Sequence, residues 1–409
     1  MSEKLPDGWK KKQLSQLAKI ASGGTPSRKV EEYWNGNIPW VTTGEFSSQT
    51  ILGTQEKITE LGLQNSSAKI FAKGTLLIAM YGQGKTRGMV ARLGISAATN
   101  QACAAILFTE YYIEDFYFHC FTYQYDELRK MSNGGTQDNL SADLLKSFQL
   151  LVPPLPEQQK IARIISTWNA AIDCTQKLLE NSRQQKKALM QQLLTGKKRL
   201  PGFAQKWAWN HMGDIAKPCG ERNSIGENLP VLACSKYTGF VDSLSYFKKQ
   251  VFSEDTSTYK VIRRGEFGYP ANHIEEGAIG YQNLYDAALV SPIYVVFKVK
   301  ANVNGDFLYR LLKTDAYRQI FSAATSASVD RRGSLRWPGF AKIKMYLPSV
   351  EEQTAIAEVL SAADAVISQY EAKLANLQAQ KKALMQQLLT GKRRVKVDNT
   401  ADTSAAPAS

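Results

Sequence analysis

A chain of 409 residues has room for two or three domains, each with a core of its own. An apolar fraction of 44% with 10% aromatics excludes a disordered composition, and no apolar run approaches the length of a membrane span, so no membrane partner is expected. The net charge of +14, from 51 Lys and Arg against 37 Asp and Glu, points to a polyanionic partner, for which nucleic acid is the default.

Residues 1–152 read as a mixed domain, with short β-rich runs (Thr75 to Met80, Ala102 to Phe108) between glycine-rich turns. Residues 153–199 are dominated by a helix, with Pro156 suited to its first turn and Gly196 to the position just past its end. Ile161, Ile165, Trp168, Ile172, Thr175, Leu179, Ser182, Lys186, Leu189 and Leu193 follow four-three spacing, a heptad seam. Residues 200–347 form a second mixed domain, with strand-like runs such as Ile293 to Val299. Residues 348–395 give a second helix, opened by a capping-box pattern at Ser349 and Glu352 and closed by Gly391. Its seam is Ile356, Leu360, Ala363, Ile367, Tyr370, Leu374, Leu377, Lys381, Leu384 and Leu388. The tail, residues 396–409, is small and polar and is expected to be disordered.

The helices are near copies. Gln185 to Lys197 and Gln380 to Lys392 both read QKKALMQQLLTGK, and Glu157-Gln158 and Ile161-Ala162 recur as Glu352-Gln353 and Ile356-Ala357 at the same offset of 195. The mixed domains share fainter marks: Trp9 with Trp207, Leu17-Ala18-Lys19 with Ile215-Ala216-Lys217, Asn37-Ile38-Pro39 with Asn228-Leu229-Pro230, and Asp115-Phe116 with Asp306-Phe307. The plan is domain, helix, domain, helix, with a pseudo-two-fold relation suited to a partner with its own dyad, such as duplex DNA. Each helix spans roughly 57 Å at 1.5 Å per residue. Antiparallel pairing spares the second domain from bridging that length, and predicts a reader at each end of a rod that fixes the gap between two half-sites. Diverged domains on a constant frame predict two different targets.

Polar residues recur in loops of both mixed domains. The first offers Thr25, Arg28, Tyr81, Gln83, Lys85, Arg87, Gln137 and Asn139; the second offers Lys236, Tyr237, Asn272, His273, Arg331, Arg332, Ser334 and Arg336. At the 195 offset Gln137 lies over Arg332 and Asn139 over Ser334, and arginine forks onto guanine where glutamine or asparagine forks onto adenine. Any single one of these residues is more often a phosphate contact or a solvated side chain than a base reader. The stretch MYGQGKT at Met80 to Thr86 lacks the first glycine of a P-loop, since position 79 is Ala, and no helix pattern follows it. Five cysteines form no CxxC and no Cys/His pair at ligand spacing, only three histidines occur, and the start MSEKLPDGWKKK is polar. A reducing cytoplasm and no metal site are therefore expected. No motif of a catalytic centre is found.

LVPPLPEQQKIARIIS, a long helix and QKKALMQQLLTGK, with the helix motif repeated after a second variable domain, resemble the specificity subunit of type I restriction–modification systems. KGTLLIAMYGQG, AATNQACAAILF and the IPW of Ile38 to Trp40 are similar to that family's target recognition domains. The resemblance covers residues 5 to 395 and is looser in the second domain, at SASVDRRGSLRWPGF and YPANHIEEGAIG. It implies an α+β fold of two recognition domains joined by an antiparallel coiled coil, and a cytoplasmic chain without catalysis or cofactor. It further implies two modification subunits that methylate adenine N6 with S-adenosylmethionine, and restriction subunits that use ATP and Mg2+. Two rivals remain at this level: a nucleotide-dependent DNA enzyme using Gly82 to Thr86, and a coiled-coil scaffold that binds protein only.

Overall fold

The structure is a computed structural model that describes residues 5–47, 49–82, 85–131, 139–326 and 333–397. Two compact units divide the chain: Met1–Lys177 with Ala372–Ser409, and Leu178–Glu371. Each takes one mixed domain and one end of each long helix, so the units cut across the segments read in sequence order.

In the first unit the apolar run Leu76–Ala79 is buried at every position, because it is paired antiparallel on both sides, with Cys103–Phe108 and Val90–Leu93. The five-stranded sheet runs Ala18–Ser22, Cys103–Phe108, Leu76–Ala79, Val90–Leu93, Thr50–Ile51. A four-stranded sheet runs Glu56–Ile58, Trp34–Val41, Ala97–Thr99, Ile70–Phe71. Phe116 and Phe121, on the helix Glu114–Tyr123, are fully buried in a core shared with Leu14, Ile161, Ile165, Leu388 and Leu389.

The second unit repeats the plan with fewer strands. Its main sheet runs Ala216–Cys219, Tyr294–Val299, Phe267–Pro270, Gly280–Tyr281. Phe307, Leu308 and Leu312, on the helix Gly305–Leu312, are buried with Met212, Leu193, Leu194, Ile356 and Leu360. Asn304 caps that helix by accepting a hydrogen bond from the Phe307 amide at 3.0 Å.

In each unit a two-stranded ribbon leads into the long helix. Lys10–Gln13 pairs with Gln149–Val152 in the first, and Ala208–His211 with Lys344–Leu347 in the second. The helices follow as Leu155–Leu193 and Val350–Leu389. In the first unit the start of one helix lies against the end of the other, since Ile161 and Ile165 share a core with Met385 and Leu388. In the second, the end of the first helix, Leu193 and Leu194, meets the start of the second, Ile356 and Leu360. The helices are antiparallel. Every seam position read from the sequence is buried or half-buried, including Trp168, Ile172, Leu189, Ile367, Leu374 and Leu384. The polar Lys186 and Lys381 are half-buried in that seam.

The helix ends are closed by the same parts twice. Glu157 is 3% exposed and accepts from Trp9 Nε1 at 3.3 Å and from the Arg394 guanidinium. Glu352 is 1% exposed and accepts from Trp207 Nε1 at 3.2 Å and from Arg199 Nε and Nη2, each at 2.6 Å. Gln158 and Gln353 each donate to a proline carbonyl five residues back, Pro153 and Pro348, at 2.9 Å. The capping box at Ser349 is therefore only half formed. Ser349 Oγ accepts from the Glu352 amide at 3.4 Å, but the Glu352 carboxylate turns inward to Arg199 and Trp207. Gly196 and Gly391 stop the helices at φ of 71° and 73°. An added Cβ would be in contact with the Trp207 indole at Gly196, at 3.5 Å, and at Gly391 would stand 2.8 Å from Pro6 Cγ and 3.4 Å from the Trp9 indole.

Candidate nucleic-acid interface

In the first domain the loop after Ser22 is pinned by its glycines. A Cβ on Gly23 would stand 1.9 Å from the Thr99 carbonyl oxygen, and one on Gly24 2.1 Å from Ser67 Oγ. The Gly24 amide donates to Thr99 O at 2.9 Å, Trp40 Nε1 donates to Gly24 O at 3.0 Å, and Trp34 Nε1 donates to Ser27 O at 3.1 Å. On this fixed loop Thr25 is exposed and its hydroxyl donates to Gln101 Oε1 at 2.6 Å. Arg28 is not a free cation: Nη1 and Nη2 both bind the Glu56 carboxylate, and the guanidinium lies 3.8 Å from the Trp34 ring centroid. The hydrogen bond to Glu56 raises the Arg28 pKa above its ordinary value and lowers that of Glu56. Gly24→Ala is expected to cost about 1–3 kcal/mol by overpacking, since the clash includes backbone atoms of Ser67 and Ala68. Thermal melts check this; an unchanged melting temperature would mean that the loop is not held as tightly as its contacts indicate.

The second group of predicted residues in this domain surrounds Tyr81. Its ring is 39% exposed, next to Gly82 at φ 147°. Lys85 is exposed, with its carbonyl bound by the Tyr125 hydroxyl, and Arg87 donates to Arg129 O at 3.1 Å. A strand, Val90–Leu93, follows Thr86, so the helix that would hold a nucleotide phosphate is absent from this loop. The Leu140 amide donates to Met80 O at 3.0 Å and brings the half-buried Asn139 beside Tyr81.

The second domain places its loops by the same bond. The Leu335 amide donates to Ala271 O at 2.8 Å, joining Ser334 and Arg336 to Asn272 and His273. These four residues line one cleft of about 990 Å3 with Lys260 and Trp337, which the sequence reading missed. Lys260 donates to Tyr294 O at 2.6 Å, and burial, with the charge of Arg222, lowers its pKa. A neighbouring turn carries Lys236 and the 79%-exposed Tyr237. Lys313 ties that turn to the Gly277 turn by donating to Lys236 O at 2.6 Å and Gly277 O at 2.9 Å. Donor atoms of His273, Glu275 and Glu276 lie within 4.8 Å of one another, and Lys236 Nζ lies 3.6 Å from Glu276. The lysine already supplies a cation there. Gln83, Gln137, Arg331 and Arg332 lie outside the described residues.

Beneath these loops each domain meets the helices at a matched joint of different chemistry. In the second unit Arg310 binds Asp306 at 3.0 Å, Asp364 at 2.6 Å and Ser361 Oγ at 3.0 Å, and Lys186 also binds Asp364. Burial alone would push the Asp364 carboxyl up, but hydrogen bonds from Lys186 and Arg310 reverse this and hold it below its ordinary value. In the first unit His119 takes the place of Arg310, with Nε2 3.3 Å from Ser166 Oγ. Asn169 stands at the position of Asp364, and burial lowers the pKa of the half-buried Lys381 against the opposing charge of Asp173. His119 is 3% exposed, and desolvation takes its pKa from 6.5 to about 4.

The comparisons with known proteins also find a duplication. The family described as the type I restriction modification DNA specificity domain matches residues 6–181 and again 221–379. The chain belongs to this family. It is 30% identical over 191 residues to the type I restriction enzyme MjaIX specificity subunit of Methanocaldococcus jannaschii, a match covering 46% of this chain and 42% of that protein. To the MjaVIII specificity subunit of the same organism it is 23% identical over 428 residues, covering 96% of this chain and 95% of the relative. Among solved structures, the type I restriction–modification S subunit from M. genitalium aligns with a TM-score of 0.56 at 15% identity, over 95% of this chain and 97% of that one. That likeness concerns the fold. The specificity family thus accounts for the two mixed domains and the antiparallel helices, and among the described residues no helix is long and apolar enough to cross a membrane.

Proposed function

We propose that this chain is the DNA-reading subunit of a type I restriction–modification complex and performs no chemistry itself. Each mixed domain reads one half of an asymmetric, two-part site, and the helices set the unread gap. The observation that supports this reading most is the pair of matched loop positions, Leu140 on Met80 and Leu335 on Ala271. One frame presents Tyr81 and Asn139 in one copy and Asn272, His273, Ser334 and Arg336 in the other. Different donors at the same place are what different base preferences require.

In this reading two modification subunits dock on the helical frame and methylate adenine N6 with S-adenosylmethionine. Restriction subunits using ATP and Mg2+ join through them, in the cytoplasm. The test is to co-express the chain with its modification subunit in a methylation-free host and map N6-methyladenine along the genome. A single asymmetric two-part motif, methylated once on each strand, is expected. A stable complex with no motif would instead favour a protein-binding scaffold. One heptad inserted into both helices should lengthen the unread gap, and an unchanged gap would remove the helices from that role.

A further inference from the structure

Arg28 is held in a way that suits one kind of ligand. Its guanidinium uses one N–H of Nη1 and one of Nη2 on Glu56, and its face lies against Trp34. A guanidinium has five N–H donors in a fixed fork. The Trp40 ring centroid lies 5.1 Å from that of Arg28, and among the described residues it makes no further hydrogen bond, so the Nε–H and an outer Nη2–H on one edge remain available. The side chain is 54% exposed, and Glu56 is 40% exposed. The loop that carries it cannot shift, because Gly23 and Gly24 are packed against Thr99 and Ser67 and both Trp34 and Trp40 hold its carbonyls.

Building on the DNA-reading role above, we propose that Arg28 is a specificity-determining side chain that reads a guanine in the half-site of the first domain, with Glu56 and Trp34 as its positioning residues. The carboxylate neutralises the arginine and repels phosphate, so the pair is poorly matched to the DNA backbone. The free edge still presents two parallel donors at the spacing of guanine O6 and N7, which are neutral acceptors. Thr25, on the same loop, gives its hydroxyl proton to Gln101 Oε1, which leaves the Gln101 amide nitrogen, on the turn after Ala97–Thr99, as the uncharged donor of that pair.

The test uses the complex with the modification subunit and the genome-wide methylation map. If the wild-type complex yields no two-part motif, the DNA-reading role itself fails. Given a wild-type motif, Arg28→Ala and Arg28→Lys should each make one guanine of one half-site degenerate. Discrimination there should fall roughly 5- to 150-fold, the range of one bidentate contact, with the other half-site unchanged. Glu56→Gln should relax the same position more weakly. Arg28→Lys keeps the charge without the fork, so it also serves if the alanine variant does not fold. An unchanged motif in both Arg28 variants overturns the proposal. So does a uniform loss of methylation at all sites without degeneracy, which is the behaviour of a phosphate contact.

Discussion

Glu352→Ala is expected to destabilise the unit Leu178–Glu371 by about 3 kcal/mol, because the buried carboxylate carries charge-assisted hydrogen bonds and its loss strands the Trp207 N–H. For a unit of this size that lowers the melting temperature by roughly 6–12 °C. Hydrogen exchange should show where the loss falls: the ribbon of Ala208–His211 with Lys344–Leu347 should lose protection. Glu157→Ala makes the complementary case. It should open the ribbon of Lys10–Gln13 with Gln149–Val152 in the other unit, since Glu157 serves Trp9 and Arg394 there. Glu352→Gln should be milder, as an amide still accepts from the indole. Melting temperatures within a degree of wild type for both alanine variants would show that the duplicated carboxylates hold nothing.

Acid should weaken the first unit earlier than the second, and His119 is the reason. The folded state holds its imidazole neutral down to about pH 4, while the unfolded chain takes up the proton near the ordinary value of 6.5. Desolvation is the main cause, Asp115 opposes it, and the charges of Lys381 and Arg92 add to it. A depressed histidine pKa means stability that is complete above pH 6.5 and drains away as the pH falls towards 4, by about 3 kcal/mol in all. The matched Arg310 stays charged throughout. Its partner Asp364, with a lowered pKa, gives stability that is lost only below the ordinary carboxylate range. Thermal melts of wild type and His119→Gln between pH 7.5 and 4.5 test this. The two curves should diverge as the pH falls, the wild type losing more; parallel curves would show that His119 is not held neutral.

The frame was legible in the sequence because it rests on periodicity and duplication. The seam from Ile161 to Leu193 and its copy mark which helix faces are covered, and the length of each helix, with a whole domain between them, favours antiparallel pairing. Trp9 and Trp207 were seen to match, but not why, since each binds a glutamate about 150 residues away. The capping-box reading of Glu352 failed for the same reason. A local pattern identified a helix start, and a long-range partner took the side chain. The loops were legible as polar segments only. Thr25 and Arg28 stand out as polar loop residues, whereas Gln101 and Glu56 come next to them only through folding, and Lys260 reaches the second cleft from a strand with no loop signal. Side-chain direction in a loop is set by contacts that no spacing encodes.

The pairing of Glu157 with Arg394 also sets an order of events during synthesis. A ribosome releases the chain from its N-terminal end, and domains fold as their residues become available. Glu352 finds its partner Arg199 already made, 153 residues earlier. Glu157 must wait for an arginine 237 residues later. The unit that begins first is therefore completed last: its indole and carboxylate stay without their cation until the second long helix has been made, while the unit Leu178–Glu371 has all its parts beforehand. A chain that ends at Glu371 and has left the ribosome would carry all of the second unit and an unclosed first one.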